Sequence, residues 1–96
     1  MNSILLQAIQ EHTTVELRYH NYSRIVEPHA YGRDKDGDEI LRCYQTSGGS
    51  ESGERVGWKL LKVREAFSIH STGISFSTRP EYKRNDKAMN YFFAQI

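Results

Sequence analysis

Ninety-six residues make one domain, and a chain of this size buries only a modest core; six Tyr, four Phe and one Trp in 38% apolar content weigh against disorder. The single cysteine, Cys43, excludes an intramolecular disulfide, and no Cys/His spacing of the zinc-ribbon kind occurs, so neither a structural metal nor a cofactor is expected. Formal net charge is +1 but uneven: five Lys or Arg stand against nine Asp or Glu up to Glu54, and eight against three from Arg55 onward, so the second half is a candidate basic surface.

The chain opens with ILLQAI, Ile4 to Ile9. It is too short for a membrane span and carries no basic leader, so a cytoplasmic protein is expected. Ser3 can cap a short helix in which Ile4, Leu5, Ala8 and Ile9 share one face at the helical period. At Thr13 the period changes to two, and Val15, Leu17 and Tyr19 alternate with polar residues in a first strand that turns at His20 to Ser23.

Arg24 to Tyr31, RIVEPHAY, reads as a second strand. Pro28 has no N–H for a ladder and therefore belongs at an edge, a bend or a bulge. DKDGDE, Asp34 to Glu39, has the look of a calcium loop, but its glycine comes too early and Gln45 stands at the twelfth position, where a bidentate Glu is needed; Asp36-Gly37 is hairpin chemistry instead.

Glu39 to Gln45 forms a third strand, Val56 to Val63 a fourth with Trp58 and Leu60 on one face and Lys59 and Leu61 on the other, and Ala66 to His70 a fifth. Between the third and fourth, Ser47 to Gly53 (SGGSESG) is far longer than a tight hairpin connection, as if to cover a site or span a barrel mouth. Asn85 or Asp86 then caps a final helix that aligns Met89, Phe92, Phe93 and Ile96. Strands in succession without crossover helices exclude a parallel sheet. The expected fold is therefore α+β and mainly β: a five-stranded antiparallel small barrel with an N-terminal and a C-terminal helix, in a single domain over 1–96.

The order of a helix, Arg18-Tyr19, Ile25-Val26-Glu27-Pro28, a Asp36-Gly37 turn and Trp58-Lys59-Leu60-Leu61-Lys62-Val63 resembles the WYL domain superfamily, from Ile4 to about Phe76. The namesake triplet corresponds to Glu39-Ile40-Leu41, which keeps only the leucine, and the family's helix-turn-helix reader is not present, so the chain resembles a short single-domain relative. The resemblance implies an Sm-like, SH3-type barrel that senses a ligand, a nucleotide or single-stranded nucleic acid, and passes the signal to a regulatory partner. It also implies bacterial or phage origin, a role in transcription regulation, and attention to Tyr19, Arg24, His29, Tyr31, Arg42, Tyr44, Trp58 and Lys59.

Residue chemistry offers each site a plainer reading beside the functional one. Arg42 and Tyr44 share a strand face, where a guanidinium can pair a phosphate while a ring stacks a base, yet cross-strand packing accounts for the same pair. Trp58 is either core or a pocket rim beside Gly57. The glycine-rich loop can wrap an anion with its backbone N–H groups, but Glu51 and Glu54 would repel phosphate. Cys43 alternates with Leu41 and should point inward, and no histidine shows metal spacing. The expected ligand-binding set is His29, Tyr31, Arg42, Tyr44, Trp58 and Lys59, in a non-enzymatic binding module without a catalytic residue. Two alternatives belong to other classes: a metal-assisted nuclease or toxin-like RNase around the E-x-K step Glu81-Tyr82-Lys83, and a protein-interaction adaptor using open strand edges.

Overall fold

The computed structural model describes residues 1–96, in one helix and six strands. Helix α1, Ser3–Glu11, starts one residue earlier in capping terms than the sequence suggests: Asn2 is the cap, its Oδ1 accepting the Leu5 N–H at 3.0 Å. Leu5, Ala8 and Ile9 are buried, while Ile4 lies on the flank at 37% exposure. No helix is long and apolar enough to cross a membrane.

Strands β1 (Thr13–Tyr19) and β2 (Tyr22–Arg33) form a hairpin closed by His20 and Asn21, both with positive φ, 48° and 70°. This is the backbone of a two-residue type I′ turn, whose twist matches that of the strands it joins. The Asp34–Asp38 turn connects β2 to β3 (Glu39–Gly48), with the Asp34 carboxylate accepting the N–H groups of Asp36 and Asp38 and Gly37 at φ 83°. Strand β4 (Gly57–Lys62), a one-turn 3-10 segment over Val63–Glu65 and β5 (Ala66–Ser75) follow. The sheet order is β4-β3-β2-β1-β5, and every pairing is antiparallel. No ladder joins β4 to β5, but the Tyr19 hydroxyl at the end of β1 accepts the Lys62 N–H at the end of β4, 3.1 Å away, across that seam.

The mostly-β antiparallel sheet with an N-terminal helix is as expected; two details are corrected. Six strands are present, not five, and the chain ends in strand β6 (Tyr91–Gln95) rather than a helix. The Met89, Phe92, Phe93 and Ile96 spacing does fit a helical stripe, but Tyr91 to Phe93 is an aromatic run that suits a strand. The second half of β2 also offers an edge that β1, already turned away, leaves unpaired. β6 fills that edge, with Tyr31 opposite Ala94 and Gly32 opposite Phe92. The cap expected at Asp86 exists, since its carboxylate accepts the Ala88 N–H at 2.9 Å, but it closes a single turn.

The inner core gathers Leu5, Ala8 and Ile9 of α1 against Val15, Leu17, Val26, Tyr31, Leu41, Cys43 and Leu61. A second, smaller cluster on the outer face joins Ala30 and Ile40 to Met89 and Phe92. That second layer exists because residues 76–90, between β5 and β6, form an irregular strap that crosses the outer face of β2, β3 and β4. It is anchored by the Phe76 N–H to the His12 carbonyl, 2.9 Å, and the Asn90 N–H to the Arg33 carbonyl, 2.7 Å.

The docking of β6 makes a prediction. A Cβ added at Gly32 would stand 2.0 Å from the Tyr91 carbonyl oxygen, so the strand must move away. Gly32→Ala is expected to lower unfolding stability by about 1–3 kcal/mol, the usual range for overpacking, and to loosen amide-exchange protection from Tyr91 to Gln95. Wild-type denaturation and unchanged protection in that variant would place the C-terminal strand elsewhere.

Candidate functional site

On the outer face, Glu27 and His29 of β2, Tyr44 of β3 and Trp58 of β4 form a row, with Tyr44 opposite Glu27 on one side and Trp58 on the other. His29 joins this row because the β2–β3 register slips between Pro28 and Ala30: Pro28 faces Cys43, and the next paired residue, Ala30, already faces Arg42. This is a β-bulge, and it falls where a proline without an N–H leaves the ladder easiest to interrupt.

The His29 ring is fully buried and packs against Trp58, Phe76 and Tyr82 at centroid distances of 4.9, 5.2 and 5.0 Å. Its Nδ1 lies 2.9 Å from the Glu27 carbonyl oxygen, an acceptor, so Nδ1 carries the proton. Nε2 is then free to accept the Arg79 backbone N–H at 3.1 Å. Both nitrogens are occupied by the neutral tautomer, and burial holds the ring below the ordinary histidine range. His29 is thus a fastener for the strap.

Arg79 completes the fastening. Its guanidinium donates from Nε at 2.8 Å and from Nη2 at 3.3 Å to the two oxygens of the Glu27 carboxylate, a forked pair that raises its own pKa, and it lies over the Tyr44 ring at 3.8 Å. Farther along, Arg42 donates from Nε to Asp86 at 2.6 Å, and this hydrogen bond holds the Asp86 carboxyl below the usual carboxylate range. One face of Tyr44 and the charge of Arg42 are therefore already partnered within the chain.

Trp58 is half-buried. Its ring meets Tyr44 edge-on at 5.4 Å and lies 28° from parallel with Tyr82 at 6.2 Å. A cleft of 470 Å³ opens beside this aromatic pair, lined by Arg42, Trp58 and residues 81–87. Its cationic side chains are Arg42, Lys83, Arg84 and Lys87 against the carboxylates of Glu81 and Asp86. Lys83 and Lys87 make no side-chain hydrogen bond or ion pair, and Arg84 donates only to the Ile96 carbonyl oxygen, 3.0 Å. The Tyr82 hydroxyl is buried without a protein partner, and burial raises its pKa. Such orphaned groups in native folds call for a water or a ligand atom.

Of the six expected ligand-binding residues, Arg42, Tyr44, Trp58 and His29 come together, His29 behind the aromatic wall. Tyr31 and Lys59 do not join them. Tyr31 faces the inner core, where its hydroxyl donates to Glu39 and accepts the Asn2 N–H at 2.6 Å; burial, then the Glu39 contact, pushes its phenol up to about 12. Lys59 points the opposite way from Trp58, and its amine binds the Ser50 hydroxyl at 3.2 Å and the Glu54 carbonyl at 2.6 Å. Arg24 is buried between Tyr19 and Tyr22, donating to the Tyr19 carbonyl at 3.0 Å and to Gln45 at 3.3 Å. Cys43 is fully buried, its thiol pushed up to about 12 by desolvation. No group of three or more His, Cys, Asp and Glu side chains is placed to hold a metal ion.

Sequence reading missed Arg79 and Lys87, and it singled out Tyr82 and Lys83 only within the E-x-K step of the nuclease alternative. The further signal was local composition: RPEYKR, Arg79 to Arg84, surrounds a tyrosine with three cations in a segment without period.

The buried neutral His29 fixes a pH response. Its folded pKa is lowered, so the unfolded chain binds the proton more readily below the ordinary value of about 6.5. The stability this residue contributes is complete above that pH and falls as the solution is acidified toward the folded pKa. Ring NMR should show His29 as the Nδ1-protonated neutral tautomer; a His29 titration at or above 6.5 would contradict the buried pairing with Arg79. No family model, curated protein or solved structure matches this chain, so the reading of its site rests on its own geometry.

Proposed function

We propose that the chain is a non-enzymatic binding module that takes a nucleotide or single-stranded nucleic acid on the cleft between Trp58 and the strap, and that it acts on a regulatory partner as a WYL-like sensor. One observation supports this above others: a half-buried Trp58–Tyr82 pair adjoins an open cleft whose Lys83 and Lys87 ammonium groups have no partner in the chain. Aromatic faces stack any base, and free cations pair with the phosphate that accompanies it. Arg42 takes a lesser part than its sequence position suggests, because Asp86 already neutralises it.

Trp58 is the only tryptophan and serves as its own reporter. Titration with nucleotides and short oligonucleotides should quench its fluorescence. Tyr82→Ala should lose about 1–3 kcal/mol of binding if that ring stacks a base. Lys83→Ala should weaken binding and reduce the slope of log affinity against log salt by roughly 0.7–0.9, one phosphate contact. Tyr44→Ala should act mainly on stability, because its ring supports Arg79. Unchanged fluorescence across the whole panel, with the protein folded, would refute the binding reading. Magnesium-dependent cleavage of RNA or DNA, lost in Glu81→Ala, would replace it with the nuclease alternative, since Glu81 lines the same cleft.

A further inference from the structure

The aromatic cleft does not end at Lys87. A second cleft of 360 Å³ begins there, lined on its far side by Lys35, Ile40, Leu60 and Lys62, and Lys87 lines both. The two clefts follow one strand face. Trp58, Leu60 and Lys62 of β4 stand opposite Tyr44, Arg42 and Ile40 of β3, three successive outward positions, so they form a continuous row. Four residues of strand cover about 13 Å at ~3.3 Å per residue.

We infer that the ligand is an extended single strand of at least two nucleotides, lying along β4 from the Trp58–Tyr82 pair to Lys35. This rests on the nucleotide reading above and specifies it. Three features carry the step. Leu60 is 41% exposed at the middle of the row, an apolar surface on which a second base or sugar can lie. Lys87, without an ion pair or hydrogen bond, sits where the clefts meet and can reach a phosphate linking the two units. β4 pairs in the sheet only with β3, and although its Lys62 N–H is taken by the Tyr19 hydroxyl, no strand covers the rest of its outer edge.

The charges in the second cleft rank it below the first. Lys62 shares Asp38 with Arg64, at 3.2 and 2.9 Å, and is partly neutralised. Asp36 opposes a phosphate, whereas the Asp34 carboxylate is occupied by two backbone N–H groups of its turn. The first unit should therefore bind through stacking and the Lys83 side, and the second should add a smaller increment through Leu60, Lys87 and Lys35.

The test compares a nucleoside monophosphate with di-, tetra- and octanucleotides of DNA and RNA, at two salt concentrations, followed by Trp58 fluorescence. Affinity should rise about tenfold from the monophosphate to the tetranucleotide, through the apolar contact at Leu60 and the phosphate contacts added at Lys87 and Lys35. Leu60→Ser, which removes the apolar surface without adding a charge opposite Arg42, should abolish that gain while leaving monophosphate affinity unchanged, with circular dichroism checking the fold. Lys35→Glu, in the exposed turn, should do the same more weakly and reduce the salt slope for the tetranucleotide only. Equal affinity for monophosphate and tetranucleotide would overturn the extended strand and leave the nucleotide reading intact. No binding of any nucleotide or oligonucleotide would overturn both.

Discussion

The bulge at His29 is the constraint on which the rest of the molecule depends. Before it, β2 pairs with β1; after it, β2 has turned far enough that its free edge receives β6 instead. The same slip keeps Pro28 facing Cys43, turns His29 and Ala30 both outward, and returns Tyr31 to the inner core opposite Leu41. A regular strand would place alternate residues on alternate faces and could not put two neighbours on the outer one. Those two neighbours are what the outer layer is built on: Ala30 is small enough to admit Met89, and His29 binds the Arg79 backbone.

A strap without regular structure must satisfy its backbone and charges by other means, and here charge does much of it. Glu27 is 8% exposed, and its carboxylate would be expensive to bury alone; the forked bond from Arg79 compensates it, and the same guanidinium covers Tyr44. Arg42 and Asp86 make the matching pair farther along. The two bridges run in opposite senses, acid on the sheet with base on the strap and then the reverse. A strap displaced along the sheet would leave like charges facing, so the arrangement sets register as well as attachment.

These pairings also explain why charge counting along the chain overstated the basic surface. Among the eight cations after Glu54, Arg79 is bound to Glu27, Lys59 to the glycine-rich loop, and Lys62 and Arg64 to Asp38. Lys83 and Lys87 remain as the free cations of the cleft. Alternation was most legible in β1, whose Val15, Leu17 and Tyr19 turn to the inner core: the change of period at Thr13 read correctly, as did the proline at 28 and the Asp-Gly turn. The strap was not legible, because its contacts reach more than forty residues back and leave no period in its own sequence; Arg79 is fifty-two residues from Glu27 and Asp86 forty-four from Arg42. The helix expected at the C terminus failed for a related reason. Phe92 and Phe93 face two different cores, the outer and the inner, so both are apolar and the alternation that marks a strand is hidden.

The glycine-rich loop shows the same dependence on distant partners. It lines no part of the aromatic cleft. It folds back toward the β1–β2 turn, where Glu51 meets His20 Nδ1 at 3.2 Å while Glu65 meets Nε2, and where the Gln45 amide donates to the Gly49 carbonyl at 3.0 Å. Its glycines answer to steric demands there. A Cβ at Gly48 would lie 2.2 Å from the Ser23 carbonyl oxygen, and one at Gly49 2.0 Å from the Tyr22 ring. The segment is therefore rich in glycine because it must pass closely over the start of β2 before Gly57 begins β4. The cover over Trp58 comes instead from the strap, which composition alone marks only as a charged stretch around one tyrosine.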